Sequence, residues 1–195
     1  MGLREINATR TRQLIVDAAM ELFFSHGYDP TTMEDVAEHA GIGISTLYRY
    51  FPTKDQLGTS LLGEPGRMAE TLADRPADEP LEVALGHTLL EFLEARGDEP
   101  QQGDAFRRLV NENPRLGIRL LDWLNEAHRL LGDAVAARQG LPAGDLSAHA
   151  SAWVAVFVLQ QVGAASDAAD PRDAAEIAAD VMRRLSARPP LVPHI

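Results

Sequence analysis

The chain has 195 residues, of which 45% are hydrophobic and 24% charged, and it contains no cysteine. That is enough apolar material for one or two domains with real cores, and it excludes disulfide frameworks, thiolate zinc sites and cysteine nucleophiles. Lys and Arg total 18 against 29 Asp and Glu, a formal charge of −11 that taken alone argues against a nucleic-acid partner.

The opening residues, Met1-Gly2-Leu3-Arg4-Glu5, are polar and charged, so no signal core is read there. The longest apolar run, Ala152 to Leu159, falls far short of the ~20 residues of a membrane span. The expected location is the cytoplasm, with no membrane partner.

In chain order, nearly every long segment carries helical periodicity. From Thr9 to His26 the apolar positions Leu14, Ile15, Ala18, Ala19, Leu22 and Phe23 recur at three- and four-residue spacing, and Gly27 stops the helix. Thr32 caps a second helix whose inner face is Met33, Val36, Ala37 and Ala40, with Glu34 and Asp35 at its positive end. Gly41-Ile42-Gly43 interrupts, Ser45 to Phe51 makes a short third helix ended by Pro52, and Lys54 or Asp55 opens a fourth.

The breakers Gly63-Glu64-Pro65-Gly66 mark a domain junction, dividing residues 1–60 from 61–195. Beyond it the pattern predicts helices over Leu81–Arg96, Asp104–Asn111, Arg115–Gln139, Leu146–Ser166 and Arg172–Ala187. Gly97 to Gly103, Asn113-Pro114, Gly140-Leu141-Pro142 and Asp170-Pro171 punctuate them, and the tail Pro189–Ile195 is expected to fray. No strand-length period-2 run is present. The reading is an all-α protein of about nine helices.

Residues 32 to 51 combine a helix, a Gly-containing turn and a second short helix, which is the helix-turn-helix arrangement. Gly41 supplies the positive φ of the turn, and Ala37, four residues earlier, lets the helices approach. Leu47 and Phe51 at i,i+4 point inward, which leaves Ile44, Ser45, Thr46 and Tyr48 on the side where a recognition helix meets base edges.

These residues, with the Lys54-Asp55-Gln56-Leu57 cap that follows and the preceding Gly27-Tyr28, Thr31-Thr32 and Val36-Ala37, resemble the TetR family of transcriptional regulators. The resemblance implies an N-terminal DNA-binding domain and a C-terminal helical domain for effector binding and dimerisation. By it, Thr32 would hold a phosphate, and Ile44, Ser45 and Thr46 would face bases with Tyr48 at the base–phosphate boundary. Tyr50 and Lys54, the only lysine of the chain, would grip the DNA backbone, with the arginines at positions 4, 10 and 12 as possible arm contacts. Two positions depart from the family pattern: Gly43 stands where Ser is frequent, and Ile44 where a polar side chain is common.

The later helices carry His87, Phe92, Phe106, Trp123, His128, Trp153 and Phe157. Singly, each is well explained by core packing; as a group they make a candidate effector cavity. Leu146–Ser166 is apolar on more than one face, and the resemblance pairs it with Arg172–Ala187 across a two-fold axis in a homodimer. The six histidines show no ligand spacing, so neither metal nor cofactor is expected, and no catalytic constellation points to an enzyme. The expected activity is ligand-responsive repression at a palindromic double-stranded operator. The alternative is a helical ligand-binding or scaffold module without DNA binding.

Overall fold

The computed structural model describes residues 3–95, 100–165 and 172–189, and among them it has ten α-helices, one 3-10 turn and no strand. In chain order these are α1 (Leu3–His26), α2 (Met33–His39), α3 (Ile44–Tyr50), α4 (Lys54–Gly58) and a 3-10 turn at Ser60–Leu62. Then follow α5 (Arg67–Asp74), α6 (Leu81–Glu94), α7 (Pro100–Glu112), α8 (Pro114–Gln139), α9 (Leu146–Ala165) and α10 (Ala174–Ala187). The side chain of Arg4, the Asp170-Pro171 turn and the end of the tail lie outside the described residues.

Several boundaries differ from the periodicity reading. The helix it lacks is α5, whose two turns hold only Met68, Thr71 and Leu72 as buried anchors, too few for a clear period. Helix α3 spans Ile44–Tyr50, because Phe51 turns to extended backbone as its C-cap. Helix α7 begins at Pro100, within the expected Gly97–Gly103 break, and proline at a first helical position costs no hydrogen bond. Helix α10 starts at Ala174 because Asp173 caps it, its carboxylate accepting from the Glu176 N–H at 2.7 Å.

The chain forms two compact units: residues through Gly63 with Ala105–Asp122, and Glu64–Asp104 with Trp123–Ile195. In the first, Ile15, Phe23, Val36, Leu47, Phe51, Leu57 and Leu116 are fully buried in one cluster. Each such side chain contributes about 1.5–3 kcal/mol on leaving water. The inner face of α1 is rotated from the expected one: Leu14 is exposed, while Val16 and Met20 are buried. Phe106 packs against this cluster too, together with Leu109 and Val110 of α7.

In the second unit α5 packs on α6, α6 on α9 and α10, and α10 on α9. Their core holds Leu72, Ala84, Leu89, Phe92, Leu131, Ala152, Val158 and Ile177. The chain between α5 and α6 is clasped by Arg138, whose guanidinium donates to the carbonyls of Arg75, Pro76 and Glu79. Helix α9 reaches a mean hydropathy of 1.2 over an 18-residue window, long and apolar enough to cross a membrane. Its Ala148, Ala152, Ala155, Val158 and Val162 are, however, part of this unit's core.

Candidate nucleic-acid interface

The reading head is built from backbone chemistry that the local sequence dictates. At the start of α2, Thr32 and Asp35 form a capping box: the Thr32 hydroxyl accepts from the Asp35 N–H at 3.1 Å and the Asp35 carboxylate accepts from the Thr32 N–H at 2.8 Å. The cap holds the Asp35 carboxyl below its ordinary range, the bond from the Thr32 backbone being the largest cause. Thr32 is therefore first a helix cap; a hydroxyl that accepts one bond can still donate its own proton to a phosphate.

At the other end of α2 the turn is a Schellman motif. The Ile42 N–H donates to the Ala37 carbonyl at 2.9 Å and the Gly41 N–H to Glu38 at 3.0 Å, with Gly41 at φ +65°. This fixes the angle at which α3 leaves. Gly43 caps α3 without any side-chain bond.

Leu47 and Phe51 anchor α3 in the core, and the opposite edge faces out. Ser45 and Arg49 are exposed, Ile44 and Tyr48 are 36% and 43% accessible, and Thr46 is half-buried. Two large side chains left partly exposed on a short helix are available for a ligand surface. Tyr50 is half-buried against the core, with the Arg49 guanidinium 5.4 Å from its ring. Arg12 of α1 lies 4.5 Å over Phe51. Lys54, the first residue of α4, places its ammonium 4.3 Å over the Tyr28 ring and donates to the Asp29 carbonyl at 3.2 Å. Burial lowers its pKa, an effect opposed by Asp29, Asp55 and Asp35.

The aromatic and histidine candidates do not converge on one place. Phe92 and Trp123 form a pair with ring centroids 6.0 Å apart. Four residues before Phe92, the Thr88 hydroxyl is buried and has no hydrogen-bond partner among the described residues. His128 stacks on Trp153 at 4.4 Å and donates from Nε2 to the His149 carbonyl. Phe157 and Trp153 are exposed on α9. His87 points outward, its Nδ1 within hydrogen-bond distance of Glu79 at 2.8 Å and beside Arg75. Phe106 belongs to the core of the first unit. A cleft of about 250 Å³ on the second unit is lined by Arg67, Glu70, Thr71, Asp74, Arg75, Pro76 and Glu91, and includes none of these seven.

The family model described as "Bacterial regulatory proteins, tetR family" matches residues 15–59, and "MftR C-terminal domain" matches 79–190. The second alone covers more than half of the chain. The chain belongs to the TetR family. Among curated relatives, the HTH-type transcriptional regulator TcmR of Streptomyces glaucescens is 31% identical over 151 residues, which are 74% of this chain and 67% of TcmR. The HTH-type transcriptional repressor KstR of Mycolicibacterium smegmatis is 39% identical over 66 residues, 34% of this chain and 32% of its own. Among solved structures, FadR from Bacillus subtilis in complex with stearoyl-CoA superposes with a TM-score of 0.61 at 18% identity, over 89% of this chain and 96% of that one. That last likeness shows a shared fold.

This TetR-family chain is thus a DNA-binding transcriptional regulator. The sequence names Tyr28, Asp55, Arg12 and Phe51 but not the two contacts that join them, Tyr28–Asp55 and the Arg12–Phe51 stack, because the partners lie 27 and 39 positions apart.

Proposed function

We propose that this regulator is a homodimeric repressor acting in the cytoplasm, with a reading head in residues 1–60 and an effector and dimerisation part in residues 61–195. One observation carries the DNA reading: the edge of α3 formed by Ile44, Ser45, Thr46 and Tyr48 faces away from a head that Leu47 and Phe51 hold rigid. Such an edge fits a major groove, with Ser45 and Thr46 bonding base edges and Ile44 meeting a thymine methyl. Thr32, Tyr50 and Lys54 would contact the DNA backbone. Two heads would read the half-sites of a palindrome about one helical turn apart, or a multiple of it.

The dimer reading is supported by the outward apolar side chains Trp153, Val154 and Phe157 of α9, a cluster that a second copy would cover. The effector reading is supported by the Phe92–Trp123 pair and the bare Thr88 hydroxyl, which suit the apolar portion of a small molecule and one of its hydrogen-bonding atoms. FadR's stearoyl-CoA makes acyl-CoA compounds the first class to try. Binding releases DNA only if the effector prefers the conformation that does not fit the operator.

Gel shifts on the DNA upstream of the protein's own gene, with scrambled DNA as control, test the proposal. Ser45→Ala with Thr46→Ala should narrow the gap between specific and scrambled DNA. Lys54→Ala should weaken both alike and reduce the salt slope by about 0.9 per head. Parent protein that binds neither DNA in a salt-dependent way would establish the alternative, a helical sensor or scaffold.

A further inference from the structure

We infer that Tyr28 is a positioning residue for DNA binding: its phenol holds the Asp55 carboxylate away from Lys54 and so keeps the ammonium available to a phosphate. The inference rests on the proposed role of Lys54 as a backbone contact. Its basis is the way two oppositely charged neighbours in sequence meet one ring. The Lys54 ammonium lies over the face of Tyr28, 4.3 Å from the centroid, and the Tyr28 O–H donates to Asp55 Oδ1 at 2.6 Å from the ring's edge. Cation and carboxylate thus meet the phenol at different places, one over its face and one at its hydroxyl, and among the described residues Lys54 makes no ion pair.

The ring itself cannot yield. Tyr28 is buried, tilted against Phe23 with centroids 4.9 Å apart, and backed by Gly58, where a Cβ would come within 3.1 Å of Cε2. A short bond from a buried hydroxyl to a carboxylate is charge-assisted, which ties Asp55 to the phenol strongly. Burial, followed by the bond to Asp55, pushes the Tyr28 phenol well above its ordinary range, so the O–H remains a donor throughout the working pH range. Without that hydroxyl, Asp55 is a free carboxylate beside an ammonium, and an internal ion pair would compete with DNA for the same charge. The head carries only five basic side chains in residues 1–60 against eight acidic ones, so the loss of one cation is felt.

The test is the salt dependence of binding to the upstream DNA, measured with full-length Tyr28→Phe, Asp55→Asn, the double variant and Lys54→Ala. Phenylalanine keeps the ring and removes only the hydroxyl. Tyr28→Phe should lower the salt slope towards that of Lys54→Ala, by up to about 0.9 per head, so that a drop from 200 to 50 mM salt gains about 3.5-fold less affinity per head. Asp55→Asn keeps an acceptor for the phenol but removes the competing charge, and should bind DNA at least as tightly as the parent. The double variant should recover the parent's slope. A merely structural role would lower the Tm of Tyr28→Phe without altering the slope, and Asp55→Asn would not rescue it; either result overturns the inference. If Lys54→Ala itself leaves the slope unchanged, the phosphate contact fails, and this inference fails with it.

Discussion

Two glycines in one turn should respond to substitution with opposite signs. Gly41 sits at φ +65°, and a Cβ built on it meets nothing within 4 Å. Gly41→Ala therefore adds no clash; its cost is the left-handed backbone alone, about 1–2 kcal/mol for an L-residue. Reduced freedom of the unfolded chain returns about 0.4–1 kcal/mol, leaving a net loss near 1 kcal/mol. Gly43 has φ −71° and ψ 140°, a region any residue adopts, and its Cβ direction is equally open. Gly43→Ser gains a capping hydroxyl worth a few tenths of a kcal/mol over glycine, together with the same unfolded-state term of about 0.4–1 kcal/mol. The two variants should thus differ by roughly 1.5–2 kcal/mol although they lie two positions apart. Urea unfolding followed by tyrosine emission suits the measurement, because all three tyrosines lie in the first unit and both tryptophans in the second. Gly41→Ala with the parent's stability, or both variants shifting in the same direction, refutes the backbone argument.

Thr32→Ala removes the capping box of α2 and should cost about 1 kcal/mol in the same urea assay; an unchanged midpoint would show that the cap contributes nothing. Thr88→Val replaces a hydroxyl that is 1% exposed and has no partner among the described residues, so it should stabilise the second unit by about 1 kcal/mol, read from tryptophan emission on heating. A fall in Tm would mean that the hydroxyl is satisfied after all. Glu79 is held at a pKa of about 2, chiefly by its bond from Arg75 and then by His87, against an ordinary value of 4.5. Its folded form favours the carboxylate, so its stabilisation is complete above pH 4.5 and is lost as pH falls towards 2. Glu79→Gln should accordingly flatten the decline of Tm over that window, and a decline as steep as the parent's would remove Glu79 from the account.

The sequence by itself determined what short-range chemistry controls. Gly27 and Gly41 stop helices because they take positive φ, Thr32 starts one because its hydroxyl reaches a backbone N–H three residues on, and Pro52 follows the end of α3. These signals operate within five residues, and together with the Leu47–Phe51 spacing they made the helix-turn-helix legible. Tertiary structure decided the rest, since it joins residues whose separation leaves no local mark. It turned Val16 and Met20 of α1 inward in place of Leu14, and it raised the two turns of α5 on three buried anchors. It sent Phe106 to the core of the first unit, apart from the aromatic residues with which its composition had grouped it. It also set Lys54 over Tyr28 and Asp55 at the Tyr28 hydroxyl. The charge of −11 follows the same division: residues 1–60 carry −3 and residues 61–195 carry −8, which the sequence alone states. Which of those charges is tied down, and which stays available to a partner, depends on contacts such as Tyr28–Asp55 that only the folded chain creates.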